Sequence, residues 1–322
     1  MSEQRLARAP AAGRANLAHR AVLDLFRVIA RPFLGTELGS RIARRVPFAR
    51  SAYYTIYSRI AGAIVEVELP FGRLTMDLRD RSVSQNLFVS REYEPLETEL
   101  LTRLIGEGMT FYDVGAHIGY YTLLASKQVG ANGRVYAFEP DPWNSTLLKE
   151  NVRLNGLSNV TVMQTVIGSN VGHAYLYRNH DYTGDHRISA TKESRETIDV
   201  QSTTLDALYQ QSIRPDVIKM DVQGAEGQIV AGMGTMLSDA PPYAILSEFW
   251  PHGLANAGTD PCRLVESLQG YGYSVFELAA GPTCTPLASI AALVDRLSGE
   301  EDYTNILFVR SNALPCWLNG EV

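Results

Sequence analysis

The pattern of apolar and polar positions changes its period near residue 109. Upstream, two short alternating runs, IVEVEL and RLTMDL, flank Pro70-Phe71-Gly72, which predicts a β-hairpin with Gly72 in the turn. Downstream, apolar runs of strand length alternate with segments of helical period. These runs are MTFYDVG, RVYAFEP, NVTVMQTVIG, PDVIKMDV and YAILSEFW. Five strands interleaved with helices predict an α/β fold with a doubly wound, mostly parallel sheet.

The predicted organisation has three parts. Residues 1–60 form a basic helical cap, residues 61–85 form the β-hairpin, and residues 86–322 form the α/β domain. The cap contains apolar residues at helical spacing with arginines interspersed. A final strand, YTNILFVR, completes the α/β domain near its C-terminal end.

Charge is unevenly distributed between these parts. Residues 1–60 contain eleven Arg, no Lys and three acidic residues, a net charge of +8, while the whole chain carries −6. The remainder therefore carries −14, which disfavours nucleic-acid binding by the α/β domain. Two interpretations of the cap stay open: its arginines face solvent, or they dock on a membrane surface or an acidic partner.

Composition and cysteine content favour a cytoplasmic location. The chain is 45% hydrophobic and 20% charged, as is ordinary for a globular protein. Three cysteines without C-x-x-C spacing indicate neither a disulfide framework nor a zinc site. No apolar run reaches the ~18 residues of a membrane-spanning helix. We expect a cytoplasmic protein whose membrane association is limited to peripheral contact through the basic N-terminus.

Three predicted strands end in a carboxylate, at the sheet edge where ligands of doubly wound folds bind. Asp113 precedes the loop Gly115-Ala116-His117-Ile118-Gly119, Glu139 follows the second strand, and Asp221 ends the fourth. Dinucleotide sites use the spacing G-x-G-x-x-G to face a pyrophosphate. The spacing here is G-x-x-x-G, and a carboxylate at Asp113 would repel a pyrophosphate.

The position of Asp113 favours a positively charged ligand instead. Opposite unit charges about 4 Å apart near a protein surface attract each other by roughly 4 kcal/mol. S-adenosylmethionine offers an ammonium, a sulfonium and a ribose to the three carboxylates, whereas NAD offers a pyrophosphate. The sequence therefore predicts an S-adenosylmethionine site at the carboxyl edge of the sheet.

The segments that contain these carboxylates resemble the FkbM family of S-adenosylmethionine-dependent methyltransferases. The similar segments are FYDVGAHIGYYT, VYAFEPDPWNSTLLKENVRLNG, IKMDVQGAEGQIVAGM and ILSEFWP. The resemblance implies a class I, Rossmann-like methyltransferase fold with a C-terminal antiparallel strand. It also implies O-methylation of sugar or natural-product hydroxyls.

The resemblance further implies roles for individual residues around the cofactor. The glycine loop would hold the methionine portion, Glu139 would hold the ribose hydroxyls, and Asp221 would lie near the reacting methyl group. Tyr93 belongs to a segment that could close over the cofactor. The cofactor-binding residues implied in this way are Tyr93, Asp113, Gly115, Ala116, His117, Gly119, Glu139, Pro140 and Asp221, with Pro140 beside the adenine.

Two positions depart from the usual motifs of the family. His117 stands where the loop often contains Asn, which leaves its side-chain hydrogen bonds open. Gln223 stands where the fourth-strand motif often contains a second acid, which weakens the case for a carboxylate-built metal site. We therefore predict no bound metal, although Asp221, Glu248 and His252 together could form such a site.

Methyl transfer to a hydroxyl calls for a base, or for a metal that lowers the pKa of the hydroxyl. Asp221 and His186 are the candidate bases, and His186 lies in a polar insertion over residues 178–190. Asp185 could orient the His186 ring, although a solvated loop without a catalytic role is the alternative. The predicted substrate-binding residues are Asp185, Arg187, Glu248 and His252.

Three functions remain open from the sequence. An O-methyltransferase acting on a hydroxyl of a sugar, glycolipid or other natural product is the leading one. An N-methyltransferase of a small amine or amide would need less help from a base. A noncatalytic protein with the S-adenosylmethionine-binding fold would instead use its basic N-terminal segment to recruit a membrane or nucleic acid. We expect a small-molecule or glycan hydroxyl acceptor and no nucleic-acid partner, and we leave a homo-oligomer open.

Overall fold

The computed structural model describes residues 64–190, 193–278, 284–315 and 318. The predicted helical cap over residues 1–60 lies outside these described residues, so it stays a prediction. Within the described part of the chain, no helix is long and apolar enough to cross a membrane.

The chain divides into two compact units, which are interleaved in sequence. The first comprises Met1–Val67 with Thr75–Tyr93, and the second comprises Glu68–Leu74 with Glu94–Val322. The predicted hairpin is present, and its strands contribute to both units. Its tip belongs to the second unit, where Asn155 Oδ1 accepts a hydrogen bond of 2.7 Å from the backbone N–H of Arg73.

The strands alternate with helices after the hairpin, as the apolar pattern predicts. The described strands are β1 (Ile64–Leu69), β2 (Gly72–Asp77), β3 (Thr110–Val114), β4 (Arg134–Phe138), β5 (Val160–Met163), β6 (Val166–Ile167), β7 (Gly172–Arg178), β8 (Glu196–Thr203), β9 (Val217–Met220), β10 (Ala244–Phe249), β11 (Tyr273–Leu278), β12 (Cys284–Pro286) and β13 (Thr304–Arg310).

The helices are numbered from the first one described. They are α1 (Val83–Ser90), α2 (Pro95–Leu104), α3 (Tyr120–Val129), α4 (Pro142–Leu154), α5 (Leu205–Gln210), α6 (Glu226–Ala231), α7 (Gly234–Asp239), α8 (Pro251–Asn256), α9 (Pro261–Gly270) and α10 (Ile290–Arg296). A short 3-10 helix, Ser311–Ala313, follows β13.

The main sheet has eight strands in the order β12-β11-β13-β10-β9-β3-β4-β5. The pairs β3–β4, β4–β5, β3–β9 and β9–β10 are parallel, whereas β13 runs antiparallel to both β10 and β11. The chain moves outward from β3 through β4 to β5 and then returns to β9 on the other side of β3. The loops after β3 and β9 therefore lie at the switch point in strand order. This is the class I methyltransferase fold that the sequence predicts, including the antiparallel strand.

The central strands are almost entirely apolar, with one charged pair between them. Phe111, Ile218 and Met220 are at most 1% exposed, as expected for strands covered on both faces. Asp113 on β3 and Lys219 on β9 are register partners, and they are only 1% and 4% exposed. Buried charges are costly unless they are paired. We therefore expect these two side chains to lie next to a functional site.

A smaller sheet with the order β6-β8-β7 holds the polar insertion. Strands β7 and β8 pair antiparallel from Gly172–Ser202 to Arg178–Glu196, and the insertion connects them. Tyr177 and Arg187 exchange backbone hydrogen bonds of 2.7 and 3.1 Å, which fold the insertion back along β7. The sequence pattern did not predict β7 and β8.

Two elements that the sequence predicts as continuous are divided in the structure. The run NVTVMQTVIG forms β5 and β6, which belong to different sheets. The run AEGQIVAGMGTML forms α6 and α7. Gly232 lies at that second break, and a Cβ there would be 2.2 Å from the backbone oxygen of Gly168. Close contact between the two backbones therefore excludes a side chain at residue 232.

Candidate functional site

The glycine loop after β3 passes directly against the end of β9. Gly115 has φ +84°, and a Cβ at this position would lie 1.9 Å from the backbone oxygen of Asp221. Gly119, at the start of α3, has φ +97°, and a Cβ there would lie 2.5 Å from the Leu148 side chain. Both positions need glycine, because the left-handed backbone and the close contacts each exclude a side chain. The loop spacing thus has a steric basis.

His117 occupies the middle of this loop in the left-handed region, with φ +51°. Its backbone N–H donates to Glu139 Oε2 at 2.8 Å. Its Nε2 lies 2.7 Å from the Thr183 hydroxyl oxygen, so the ring joins the glycine loop to the polar insertion. The ring therefore bonds to the protein itself, at the position where the family often has Asn.

Glu139 is held in a fixed orientation at the end of β4. Its Oε1 accepts from the backbone N–H of Asp141 at 2.8 Å, and its Oε2 accepts from His117. Burial, reinforced by the carboxylate of Asp141, raises the pKa of Glu139 to about 8. Each carboxylate oxygen has capacity for a further hydrogen bond, which suits the hydroxyl groups of a ribose.

A cleft opens beside the glycine loop and Glu139. Apolar residues outnumber polar ones among those that line it. The lining residues are Val114, Gly115, His117, Phe138, Glu139, Pro140, Thr165, Val166, Ile167, Leu176, Thr183, Gly184, His186, Ile188, Asp221, Val222, Gln223 and Ala225.

The predicted cofactor residues separate into those that line the cleft and those that do not. Gly115, His117, Glu139, Pro140 and Asp221 line it. Ala116 is buried in the loop, and Gly119 begins α3. Tyr93 belongs to the first unit of the chain, and its predicted contact with the cofactor stays a prediction.

Asp113 lies beneath the loop, and its carboxylate oxygens differ in their surroundings. Oδ2 accepts a hydrogen bond of 2.6 Å from the Thr122 hydroxyl. Oδ1 is buried and has no hydrogen-bond partner among the described residues. Burial raises the pKa of Asp113 despite the opposing effect of the Lys219 ammonium. A direct contact between Asp113 and the methionine portion stays a prediction.

Lys219 is the cation around which the acidic side chains gather, and the sequence predictions omitted it. Its Nζ lies 3.1 Å from Asp221 Oδ2 and 4.6 Å from the centre of the Tyr121 ring. Burial alone lowers the pKa of Lys219, but the carboxylates of Asp221, Glu94 and Asp113 raise it above its ordinary value. Lys219 therefore stays charged. A lone lysine in the otherwise apolar run VIKM was the available signal for it.

Glu94, which precedes α2, also joins this charged group. Its Oε2 accepts a hydrogen bond of 2.8 Å from the Tyr121 hydroxyl. Burial raises the pKa of Glu94 to about 7, against the opposing effect of Lys219. Its φ of +44° is rare for a residue with a side chain, and such strain concentrates at functional sites.

Gln223 connects the cleft with Glu248 at the end of β10. Its Nε2 donates to Asp221 Oδ1 at 3.1 Å and to both oxygens of Glu248 at 3.3 Å. Gln223 has φ +57°, and the turn continues into Gly224. A Cβ added at Gly224 would lie 2.5 Å from the backbone of Gly253. This tight turn presents an amide where the family often has an acid.

The polar insertion does not form the pairing suggested for Asp185 and His186. Asp185 is bonded instead to Arg187 Nε and Arg195 Nη2, each at 2.6 Å. The His186 ring accepts at Nδ1 a hydrogen bond of 3.0 Å from the backbone N–H of Asn179. This bond occupies the lone pair that a base would use.

His186 nevertheless lies in the wall of the cleft, with its side chain 8% exposed. Burial lowers the pKa of His186 to about 4, although the nearby Asp141 carboxylate opposes the effect. The ring is therefore neutral near pH 7, with its proton on Nε2. This arrangement suits a hydrogen-bond donor better than a base, and the predicted catalytic role of His186 stays a prediction.

Arg187 and His252 meet at Trp250. The Arg187 guanidinium lies 4.5 Å from the centre of the Trp250 ring, and the His252 ring lies 6.1 Å from it. The predicted substrate-binding residues therefore fall into two places, Arg187 and His252 around Trp250 and Glu248 beside Gln223. Among the described residues, no group of three or more His, Cys, Asp or Glu side chains is arranged to hold a metal ion.

The sequence pattern of the methyltransferase FkbM domain matches residues 113–275, half of the chain. This chain belongs to the FkbM methyltransferase family. The match begins at Asp113 and covers the glycine loop, Glu139, Asp221 and Glu248, so it contains the whole carboxyl edge of the parallel sheet.

Several known proteins are similar to parts of this FkbM methyltransferase. A protein-L-isoaspartate O-methyltransferase of Methanococcoides burtonii is 39% identical over 59 residues, which are 18% of this chain and 29% of that enzyme. The crystal structure of a methyltransferase FkbM from Methylobacillus flagellatus KT shows 15% identity over 86% of this chain and 62% of the other, with a TM-score of 0.38. An O-methyltransferase from Bacillus cereus in complex with SAH shows 15% identity over 67% and 81% of the two chains, with a TM-score of 0.39.

S-adenosylmethionine is the cofactor that an FkbM methyltransferase domain implies. The residues present fit this cofactor in three respects. Glu139 presents two oriented oxygens for ribose hydroxyls, Gly115 lines the cleft without a side chain, and Asp113 has a buried oxygen without a partner among the described residues. The apolar wall that contains Phe138 and Pro140 suits the adenine.

Proposed function

We propose that this FkbM methyltransferase transfers the methyl group of S-adenosylmethionine to a hydroxyl of a sugar, glycolipid or other natural-product small molecule. The observation that carries the proposal is the contact between the cofactor cleft and Glu248. Asp221 and Gln223 line the cleft, and Gln223 reaches the Glu248 carboxylate at 3.3 Å. A protonated hydroxyl is a poor nucleophile, so a carboxylate at this place supports transfer to oxygen.

When bound, S-adenosylmethionine supplies a sulfonium-activated methyl group, and the chain supplies orientation and charge. Glu139 would fix the ribose, and the glycine loop would hold the methionine portion. Lys219, which is itself buried, keeps Asp221 in place by an ion pair of 3.1 Å. Because in-line transfer depends on alignment, these fixed contacts account for a large part of the expected rate enhancement.

The charge of the α/β domain supports a small acceptor over a nucleic acid. Residues outside the basic segment 1–60 carry a net charge of −14, and two of their carboxylates, Glu139 and Asp221, line the cleft. A phosphate backbone would be repelled by this charge, since nucleic-acid affinity comes largely from cationic contacts with phosphate. A neutral or cationic acceptor is favoured.

Oxygen is favoured over nitrogen as the methylated atom, and N-methylation of a small amine is the alternative. The relative from Methanococcoides burtonii is named as an O-methyltransferase, which supports oxygen. The acidic surroundings of Lys219 would also suit a cationic amine, although a protonated amine must lose its proton before it can attack. O-methylation leaves the new methyl group on a C–O bond of the product, whereas N-methylation leaves it on a C–N bond.

Comparative mass spectrometry of a gene-deletion strain and its parent tests the proposal. We expect the deletion strain to accumulate a metabolite that lacks one methyl group, and fragmentation should place that group on an ether oxygen of the parental product. A missing methyl group on nitrogen would support the alternative. An unchanged methylated-metabolite profile would contradict both.

A further inference from the structure

We propose that Glu248 is the general base that removes the proton from the acceptor hydroxyl, and that the acceptor is an uncharged polyhydroxyl compound that binds between Glu248 and Tyr303. This inference rests on the proposed transfer to a hydroxyl and names the residue that makes the transfer possible. Three properties of Glu248 support it: its place in the sheet, its hydrogen bonds, and the charges around it.

Glu248 lies at the carboxyl end of β10, next to the strand that leads into Asp221. Leu246 on β10 is the register partner of Lys219. Glu248 and Asp221 come two residues after these partners, so they lie at the same edge of the sheet. Ligands of doubly wound sheets bind at this edge. On the other side, the antiparallel strand β13 places Asn305 directly opposite Glu248. Glu248 is partly accessible, as a base that meets an acceptor must be.

The hydrogen bonds of Glu248 leave it able to accept a proton. Gln223 Nε2 lies 3.3 Å from each of its oxygens, and these long contacts leave lone pairs on both. The other candidate bases, Asp221 and His186, have stronger partners. Asp221 is bound to the Lys219 ammonium at 3.1 Å, and the unprotonated nitrogen of His186 accepts from Asn179. An ion pair weakens a carboxylate as a base, so Glu248 is the better candidate.

The charges around Glu248 come from several neighbouring elements. They are Asp221 and Lys219 from β9 and the turn after it, Glu226 from α6, Glu94 and Glu97 from the start of α2, and the phenol of Tyr303 before β13. Burial raises the pKa of Glu248 well above its ordinary value, the carboxylates of Asp221, Glu226 and Glu94 raise it further, and Lys219 lowers it. A carboxylate with a raised pKa is a stronger base, and activity should rise with pH as this group ionises.

The same surroundings indicate the class of acceptor. Three carboxylates near Glu248 would repel an anionic acceptor, and among the described residues the Lys219 ammonium opposes them. Tyr303 is 57% exposed although the carboxylate of Glu248 influences its phenol. The exposed ring of Tyr303 lies near these carboxylates, and the Asn305 amide nitrogen donates to Glu97 at 2.6 Å. Such surroundings suit a sugar ring: the aromatic face takes the apolar side of the sugar, and carboxylate oxygens accept hydrogen bonds from its hydroxyls.

The proposed step is balanced in atoms and electrons. The acceptor O–H proton moves to a Glu248 oxygen while the hydroxyl oxygen forms a bond to the methyl carbon. The bond between that carbon and the sulfonium sulfur breaks, and its electron pair stays on sulfur. The products are a methyl ether, the neutral thioether S-adenosylhomocysteine and a protonated Glu248, which returns its proton to solvent.

The test uses the full-length protein, methyl-labelled S-adenosylmethionine and, as acceptor, the polar small-molecule extract of the deletion strain. Glu248→Gln removes the base and keeps the size of the side chain. Glu266→Gln on the exposed surface of α9 is the matched control, since it removes the same charge away from the site. We expect Glu248→Gln to lower the transfer rate by roughly 10²–10⁴-fold and Glu266→Gln to leave it unchanged.

Four further readouts separate a base from a structural residue. Calorimetry should show that Glu248→Gln binds S-adenosylhomocysteine like the parent. The rising limb of the parent's pH–rate profile should be absent in Glu248→Gln, and formate should restore part of the activity of Glu248→Ala. In an infrared titration, a carboxyl group that ionises well above the ordinary range should disappear in Glu248→Gln, whether or not that variant is active.

The outcomes distinguish the inference from the proposed function. An O-methylated product formed by Glu248→Gln at the parent's rate and with the parent's pH profile would overturn the inference alone. The same holds if His186→Asn abolishes transfer while Glu248→Gln does not. An N-methylated product, or no labelled product from the parent protein, would overturn the proposed function and the inference with it.

Discussion

Glu139 illustrates how a single buried carboxylate is prepared for its ligand. Two backbone N–H groups, those of His117 and Asp141, hold its oxygens at 2.8 Å each. These bonds favour the ionised form, whereas burial and the Asp141 carboxylate oppose it, with the result that its pKa lies at about 8. The residue is thus fixed in place but only partly ionised near neutral pH.

Substitution of Glu139 by Gln should weaken cofactor binding and remove its pH dependence. The amide keeps one acceptor oxygen but loses the charge-assisted bonds to two hydroxyls, so we expect at least a tenfold loss in affinity, or about 1.4 kcal/mol. In the parent, affinity for S-adenosylhomocysteine should increase as the pH rises through about 8, because the ionised carboxylate accepts both hydroxyls. Isothermal calorimetry at several pH values measures both effects. Equal affinities in parent and variant would contradict the assignment of Glu139.

At the scale of elements, the turn after β3 depends on the absence of side chains. Gly115→Ala would place a Cβ 1.9 Å from the Asp221 backbone oxygen in addition to straining the left-handed backbone. Gly156→Ala is the matched control, because Gly156 also has positive φ, +63°, but a Cβ there would have no neighbouring atom within 4 Å. The control should lose about 1–2 kcal/mol of stability. Gly115→Ala should lose more and should also lose cofactor affinity, as urea unfolding and calorimetry would show. Equal losses would refute the steric account.

Strand β9 presents a second testable feature, the charged Lys219 within an apolar run. Lys219→Met removes the cation that Asp113, Asp221 and Glu94 surround, so their carboxylates lose their counter-ion. Breaking a buried ion pair in this way typically costs about 3–5 kcal/mol of unfolding free energy. Adding Asp113→Asn to Lys219→Met should recover part of the loss, because one unpaired charge is then removed. Urea denaturation of the two single variants and the double variant measures this coupling. A double variant that loses the sum of the two single losses in unfolding free energy would contradict it.

The elements that the sequence pattern predicted are those with a clear period or a firm stop signal. The hairpin, the parallel strands and the helix α2 follow from alternation, apolar runs and helical spacing. The break between α6 and α7 depends on contact between Gly232 and Gly168, which are far apart in sequence. The strands β7 and β8 were missed because β7 alternates weakly and leaves Tyr175, at 61% exposure, on its outer face.

The candidate site was predictable only in part, for a similar reason. Glu139, Asp221 and the glycine loop stand at strand ends, so their convergence follows from the fold. The central position of Lys219 and the link from Gln223 to Glu248 depend on side-chain directions across neighbouring strands. Likewise, the sequence placed Asp185 next to His186 but could not show that Arg187 and Arg195 bind Asp185.

At the scale of the whole molecule, buried acids with raised pKa values should make the ligand-free protein less stable as the pH rises. The pKa values of Glu94 and Glu226 lie at about 7 and that of Glu139 at about 8, against about 4.3 for an unfolded Glu. A raised carboxyl pKa contributes stability that is present below the unfolded value and lost as the pH rises through the folded value. His186, with its pKa of about 4, acts in the opposite direction below pH ~6.5.

The clearest window therefore runs from about pH 6.5 to about pH 8, where we expect the melting temperature of the ligand-free protein to fall, with a total effect on the order of a few kcal/mol. Scanning calorimetry across this range measures the change. Glu139→Gln should flatten the curve, because an amide does not ionise. A melting temperature that rises over the same range would contradict the picture of buried, partly protonated acids.

Asp221 belongs at once to the cofactor cleft and, through Gln223, to the surroundings of Glu248. A ligand that changes the charge beside Asp221 must therefore change the proton affinity of Glu248. By thermodynamic reciprocity, protonation of Glu248 changes the affinity for that ligand by the same factor. Binding of a cationic donor should thus expel a fraction of a proton, and binding of its neutral by-product should expel less. Calorimetry in buffers of different ionisation enthalpy would measure that difference, which makes proton release a signature of the donor's charge.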